Sequence, residues 1–420
     1  MVDCLPIEGI PVSDTSEFAE LYKDLHQHPE LGFQEHRTAA IVADRLAALG
    51  FDVTTGIGGT GVVGLLANGP GRTVLARADM DALPVQEQTG LPYASTARQA
   101  TADGQEVPVM HACGHDMHTA MLLGVCARVA GAPATWSGTL MVVFQPAEEL
   151  LSGARTMIAH GLYERFRAPD VVLAQHIVPF PAGTIGIAPG PTWAATDGIR
   201  VTLHGRGSHG SQPQAAVDPV VMAASVIMRL QTVVSREIAA TELAVVTIGY
   251  VRSGTKENVI PDSAELGINV RSLDPGVRTR VLAAITRVVE AESAASGAPK
   301  PPQIETLYSV PVVFNEPEAT ERTVAALGEV AEVFDPGPLM GSEDVGELAL
   351  AAGAPMVLWE VGCADPEIFA RVSSREEMLA LMADQPVNHS PMFAPVIQPT
   401  LDIGIDAMSA AVTKWLPPQS

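Results

Sequence analysis

Short apolar runs alternate with helical stretches through the first half of this chain, and that alternation constrains the fold more than any other feature. Residues 62–66, 73–78, 140–144 and 171–174 are short and apolar and read as buried strands. Helical spacing covers residues 18–49, with apolar positions at Phe18, Leu21 and Leu25, then Ala40, Ile41, Leu46 and Leu49, and Gly50 as a stop. It returns at 119–129 and 154–160. Strands alternating with helices predict an α/β domain with a mainly parallel sheet. Ligands of such sheets sit at the C-terminal ends of the strands. Asp79, Glu148, Glu149 and His176 each fall just after a predicted strand.

The pattern changes in the middle. Residues 198–205 alternate as a strand, 219–236 read as a long amphipathic helix, 243–251 and 264–273 as strands, 276–294 as a second helix, and 303–308 as a closing strand. The order β-α-β-β-α-β is the ferredoxin-like unit. Its size fits an inserted domain. The expectation is an α/β domain in two parts, residues 1–194 and 309–420, split by an α+β insertion at 195–308.

A net charge of −23 argues against nucleic acid and anionic membrane surfaces, since both require a basic face. The apolar run nearest to a membrane span, 348–359, is too short and contains Gly353 and Pro355. Residues 1–11 carry Asp3 and Glu8 and no basic stretch, unlike a signal peptide. Four scattered cysteines, Cys4, Cys113, Cys126 and Cys363, suit a reducing compartment. The expected location is the cytoplasm.

The segment His111-Ala112-Cys113-Gly114-His115-Asp116-Met117-His118 gathers a thiol and three imidazoles. Sulfur and imidazole nitrogen suit zinc-like or manganese-like ions. Cys113 and His115 are two apart, a spacing that suits a cysteine bridging two ions with the histidine on one of them. Taken singly, a buried thiol and hydrogen-bonded core histidines are the commoner case; the clustering favours metal. His111 and His118 read as supporting or structural residues. In Phe144-Gln145-Pro146-Ala147-Glu148-Glu149, adjacent carboxylates follow a strand. One can bind metal while its neighbour handles a proton. Asp79 and Asp81 form a second acidic pair, on one side of an extended chain. His176 and His389 are lone histidines, which by themselves read as satisfied core or surface residues.

Together these residues resemble the M20 family of metallopeptidases and amidohydrolases, in the branch of N-acyl-amino-acid amidohydrolases such as hippurate and indole-acetyl-amino-acid hydrolases. The matching pieces run in order over nearly the whole chain: His28-Pro29-Glu30-Leu31, residues 77–84, 111–118 and 145–149, Gly207-Ser208-His209-Gly210, Asn258-Val259-Ile260-Pro261, 341–344 and 388–391. The resemblance implies two divalent ions per chain, with zinc, manganese, nickel and cobalt all open. It implies Cys113 as the bridging ligand, Glu149 and His389 completing one ion, and His115 and His176 the other. Glu148 would be the general base and Asp81 a carboxylate orienting a ligand. Many family members carry a histidine where this chain has Asp79 and an aspartate where it has Cys113; His115 replaces the missing histidine. In the insertion, a lid and dimerisation domain by resemblance, His209 would polarise the scissile carbonyl. Asn258 and Arg271 would hold substrate, Arg271 by forking onto a carboxylate.

The expected function is hydrolysis of the amide of an N-acyl amino acid or small dipeptide by a metal-activated water, in a homodimer with shared sites. Two other readings stand beside it. A non-catalytic metal or amino-acid-conjugate binding protein would lack the base, yet Glu148 is present. A cysteine-nucleophile amidase would need a base dedicated to the Cys113 thiol and no metal, and the surplus of other ligands argues against it.

Overall fold

The computed structural model describes residues 15–418; Cys4, the 1–11 segment and the terminal Gln419-Ser420 lie outside the described residues. The chain forms two compact units. One comprises Met1–Gly190, Phe314–Gly337 and Asp344–Ser420, the other Pro191–Val313 and Pro338–Glu343.

The first unit opens with α1 (Ser16–Gln27), α2 (His36–Ala48), β1 (Asp52–Ile57), β2 (Gly61–Asn68) and β3 (Thr73–Asp79). Then come α3 (His115–Gly131), β4 (Gly138–Gln145), α4 (Gly153–Ala159), β5 (Val171–Pro181) and β6 (Thr184–Gly186). After the insertion this unit resumes. The helical periodicity over 18–49 resolves into two helices. His28 precedes Pro29, which disfavours helical backbone there. The Glu30 carboxylate then caps α2 by accepting from the Arg37 and Thr38 amides at 2.9 and 2.8 Å.

In the second unit β7 (Ala195–His204), α5 (Pro219–Thr232), β8 (Ala244–Ser253), β9 (Ser263–Ser272), α6 (Pro275–Ala295) and β10 (Gln303–Val310) follow in turn. The four strands are antiparallel in the order β8-β9-β7-β10, the ferredoxin-like arrangement. Both helices start at an aspartate followed by proline, and Asp218 and Asp274 each accept a helix amide at 2.8 Å. Their apolar stripes cover the sheet through Met222, Val226, Leu230, Val281 and Ile285. The helix expected over 219–236 ends at Thr232, and a π-helical turn, Val233–Glu237, completes the stretch.

The first unit closes with α7 (Pro317–Leu327), β11 (Glu332–Phe334), β12 (Met356–Ala364) and α8 (Thr400–Trp415). Its sheet has eight strands in the order β1-β2-β4-β3-β5-β12-β6-β11. The central β4, β3, β5 and β12 are mutually parallel. All of β3 is buried, as a strand covered on both faces must be. Helix α3 is buried over nearly its whole length. It has no polar face to offer water, and α8 lies so close that a Cβ on Gly124 would meet Ile405. Strand β5 runs past the expected 171–174 to Pro181, because its ladder with β12 continues from Val172 to Val178. His176 therefore projects from inside a central strand and does not follow one. Among the described residues no helix is long and apolar enough to cross a membrane.

Candidate metal centre

Five segments of the first unit converge at one end of the parallel strands. Strand β3 delivers Asp79 and, just beyond, Asp81. Gly114, at φ 87°, turns the chain into α3 between Cys113 and His115. The turn after β4 carries Glu148 and Glu149, β5 carries His176, and a loop before α8 carries His389, itself at φ 72°. Of five groups of possible ligand atoms among the described residues, each within 4.8 Å, two contain a sulfur: Cys113 with His115 and His176, and Cys113 with Glu149 and His389. Cys113 belongs to both. Its sulfur lies 3.5 Å from His176 Nε2, and His389 Nε2 lies 3.4 Å from Glu149 Oε2. Glu148 is 5% exposed, with Oε2 3.9 Å from His115 Nε2.

Hydrogen bonding decides which atoms are free to hold an ion. Asp81 Oδ1 sits 3.2 Å from His115 Nδ1, so this nitrogen is engaged with a carboxyl group and serves as the donor of the pair. His115 Nε2 is buried and without a hydrogen-bond partner, and it is the nitrogen that a neutral ring offers to an ion. His176 Nδ1 likewise donates to the Ile177 carbonyl at 2.8 Å and turns Nε2 toward Cys113. Glu149 Oε1 is also buried without a partner, while the Glu149 amide donates to Asp81 Oδ2 at 2.9 Å. A third grouping, Asp79 with His115 and His118, is equally compact. Two of its three members are committed: Asp79 accepts from Arg77 and His118, each at 2.6 Å, and His118 Nε2 accepts from the Ile177 amide at 2.8 Å. His118 has no lone pair to give. The set that fits divalent ions is one sulfur, three imidazole nitrogens and a carboxylate, with Asp81 and the Ile177 carbonyl orienting two of the rings.

The local field suits a cation. Hydrogen bonds to Cys113 and Glu149 raise His389 to about 10. Burial lowers His115, but the charge of Asp79 and the bond to Asp81 outweigh it and hold its pKa well above the ordinary value. Burial, and behind it the Glu149 charge, pushes the Cys113 thiol up. A thiol so placed is no ready thiolate nucleophile without a cation beside it. His111 is buried with neither ring nitrogen bonded among the described residues, and burial pushes it down to about 4.

The other three site residues lie in the second unit. His209 is exposed on the short strand Ser208–His209, which pairs with Val259–Ile260, and its Nδ1 meets Ser211 Oγ at 2.7 Å. Asn258 accepts the Gly210 amide through its carbonyl at 2.8 Å. Arg271 donates to Asn269 Oδ1 and Ser342 Oγ, both at 3.3 Å, and to the Met340 carbonyl. A buried network joins three of the matching segments through residues to which sequence reading assigned no role. Arg77 Nε donates to Gln145 Oε1 at 2.9 Å, and Gln145 Nε2 to Asp344 Oδ1 at 2.6 Å. The sequence signals were their places in the segments 77–84, 145–149 and 341–344 and the charge of Arg77 in a buried strand.

The sequence profile of Peptidase family M20/M25/M40 matches residues 75–383. A hippurate hydrolase of Campylobacter jejuni is 39% identical over 336 residues, covering 79% of this chain and 84% of that protein. Thermostable carboxypeptidase 2 of Saccharolobus solfataricus is 34% identical over 375 residues, covering 87% and 92%. The crystal structure of Bacillus subtilis YxeP protein, described as a dinuclear metal binding peptidase of the M20 family, superposes with a TM-score of 0.76. It is 27% identical, over 96% of this chain and 98% of that one. The chain therefore belongs to peptidase family M20/M25/M40 and is a hydrolytic enzyme acting on carbon–nitrogen bonds.

Proposed function

We propose that the enzyme hydrolyses the amide bond of N-acyl amino acids or small dipeptides and releases a free amino acid. The observation that carries this reading is Cys113, shared by two ligand triads, with the Glu148 carboxylate beside them. Relatives named for hippurate and for carboxy-terminal residues support the substrate class.

Two divalent ions bound by Cys113, His115, His176, Glu149 and His389 would supply Lewis acidity toward the amide carbonyl and make a water more acidic. Zinc, manganese, nickel and cobalt all suit this donor set. Glu148 takes the proton from the attacking water and passes it to the leaving amine. Asp81 keeps His115 in one tautomer and steadies the Glu149 amide. His209 donates to the developing oxyanion, Asn258 contacts the substrate, and Arg271 holds its carboxylate as a planar fork.

Paired substitutions test the division of labour. Glu148→Gln should keep bound metal and lose about 10²–10⁴-fold in kcat, whereas Glu149→Gln should lose metal. If both variants keep metal and are equally slow, the assignment is wrong.

We also infer a cytoplasmic homodimer in which His209 serves the partner's site. Mixing dissociated His209→Ala and Glu148→Gln chains should restore activity, because one site of each mixed dimer then carries neither defect. Mixtures no more active than their parents would overturn the shared site.

A further inference from the structure

We propose that Glu35 is a positioning residue that latches the turn carrying Glu148 and Glu149. The inference rests on the reading of Glu148 as the base. Glu35 is fully buried at the start of α2 and belongs to neither ligand triad. Its Oε1 accepts two amides, from Phe33 at 3.0 Å and from Ala147 at 2.8 Å. Its Oε2 meets the Thr60 hydroxyl at 2.5 Å.

Both amide donors belong to strained residues. Phe33 has φ 62° and Ala147 has φ 50°, left-handed conformations that side chains with a Cβ rarely adopt. Such backbone persists only where surrounding contacts over-determine it. One carboxylate oxygen therefore ties two strained turns together, and the second of them leads directly into Glu148. The turns are also in close contact. A Cβ on Gly32 would lie 3.2 Å from Ala147 Cα and 3.0 Å from Leu150 Cδ1. Glu149 has its own tether, since its amide donates to Asp81. Loss of the Glu35 latch should thus displace Glu148 more than Glu149.

Burial, with the Asp81 charge behind it, pushes Glu35 up to about 7. The latch does not need the charge. A protonated carboxyl keeps Oε1 as an acceptor and turns its hydroxyl to Thr60, and a glutamine amide does the same with its oxygen and NH₂. An aspartate keeps the charge but is one methylene too short to reach Ala147. The two substitutions separate reach from charge.

The test compares kcat, KM, bound metal and amide hydrogen exchange at Ala147 in Glu35→Gln and Glu35→Asp, with Glu148→Gln alongside. Glu35→Gln should keep kcat within a few-fold and keep the Ala147 amide protected. Glu35→Asp should lose roughly 10²-fold in kcat, the scale of an ångström of misplacement, with KM and metal content little changed and faster exchange at Ala147. The reverse order, with Glu35→Asp active and Glu35→Gln slow, would show that charge is what matters and overturn the latch. Loss of metal together with kcat would overturn it as well, since a general collapse of the site then explains the result. If Glu35→Asp does not fold, Glu35→Gln decides alone: near-native kcat supports the latch, and a ten-fold loss or more overturns it. A fully active Glu148→Gln would remove the base assignment and this inference with it. A slow Glu148→Gln beside a fully active Glu35→Asp overturns this inference only.

Discussion

Replacing Gly114 by alanine tests whether the turn between Cys113 and His115 demands glycine. Two costs follow from the structure. Gly114 sits at φ 87°, in the left-handed region, which costs a residue with a Cβ about 1–2 kcal/mol. A Cβ there would also lie 2.6 Å from Ile177 Cγ1 and closer still to Cδ1, in a fully buried place where overpacking costs about 1–3 kcal/mol. The expected loss is therefore roughly 2–5 kcal/mol in the first unit. The displaced ligands on either side should weaken metal binding as well. Chemical denaturation followed in that unit, with metal content measured in parallel, reads both. The same change in an Ile177→Ala background should cost only the conformational part, about 1–2 kcal/mol. Gly131, at the far end of α3, has open space around its missing Cβ, so Gly131→Ala serves as the harmless control. A Gly114→Ala protein that unfolds with the wild type and binds metal normally, or an Ile177→Ala background that makes no difference, would refute the expected strain and clash.

Arg271→Ala should raise KM on the order of 10–100-fold for substrates with a free carboxylate, the scale of a lost charged hydrogen bond, and do little to their amide analogues; equal losses would make Arg271 structural. His26 should carry a pH signature. Burial alone would lower it, but its bonds to Asp116 at 2.7 Å and Glu87 at 3.2 Å outweigh this and raise it from 6.5 to about 10. A raised folded pKa contributes stability that is complete below 6.5 and is lost as pH rises through about 10. At roughly 1.4 kcal/mol per pKa unit the wild type should lose at most a few kcal/mol over that window. His26→Gln should flatten the loss, and equal slopes for the two proteins would refute it.

What sequence reading captured and what it missed follow from how far each feature reaches along the chain. Buried parallel strands announce themselves locally, because both faces must be apolar; β3 and β4 were legible to within a residue or two. The Cys113–His118 segment was legible because unlike ligands rarely crowd together by chance. Element ends were less so. The break after α1 depends on Pro29 and on a carboxylate at Glu30 that caps the next helix, and helical spacing on either side of it hides both. The extension of β5 past His176 depends on β12, which lies about 180 residues further on in the register of that ladder. Glu35 left no mark at all. In Phe33-Gln34-Glu35-His36-Arg37 it looks like any acid at the start of a helix, and its partner Ala147 is 112 residues away.

The choice of ligands illustrates the same point at the scale of single atoms. Sequence spacing to Cys113 favours His115 and sets His111 and His118 aside as supporting residues, but it does not say what excludes them. What separates His115 from His118 is the backbone of one residue, Ile177, and one carboxylate, Asp81. The Ile177 carbonyl accepts from His176 Nδ1 and from Asn388 Nδ2, the latter at 3.1 Å, beside the His389 loop. The Ile177 amide occupies His118 Nε2, and its side chain is what a Cβ at position 114 would strike. A strand buried on both faces cannot move any of these groups independently. The parallel sheet therefore fixes ring orientation at His176 and His118 through the same ladder that fixes the fold, while Asp81 does so for His115. His176 Nε2, so aimed, lies 3.5 Å from the one sulfur that both triads share, and His115 belongs to the same triad. A ligand set defined in this way is a property of hydrogen bonds already made elsewhere, and it is why His118, three residues from His115 on the same helix, is excluded from it.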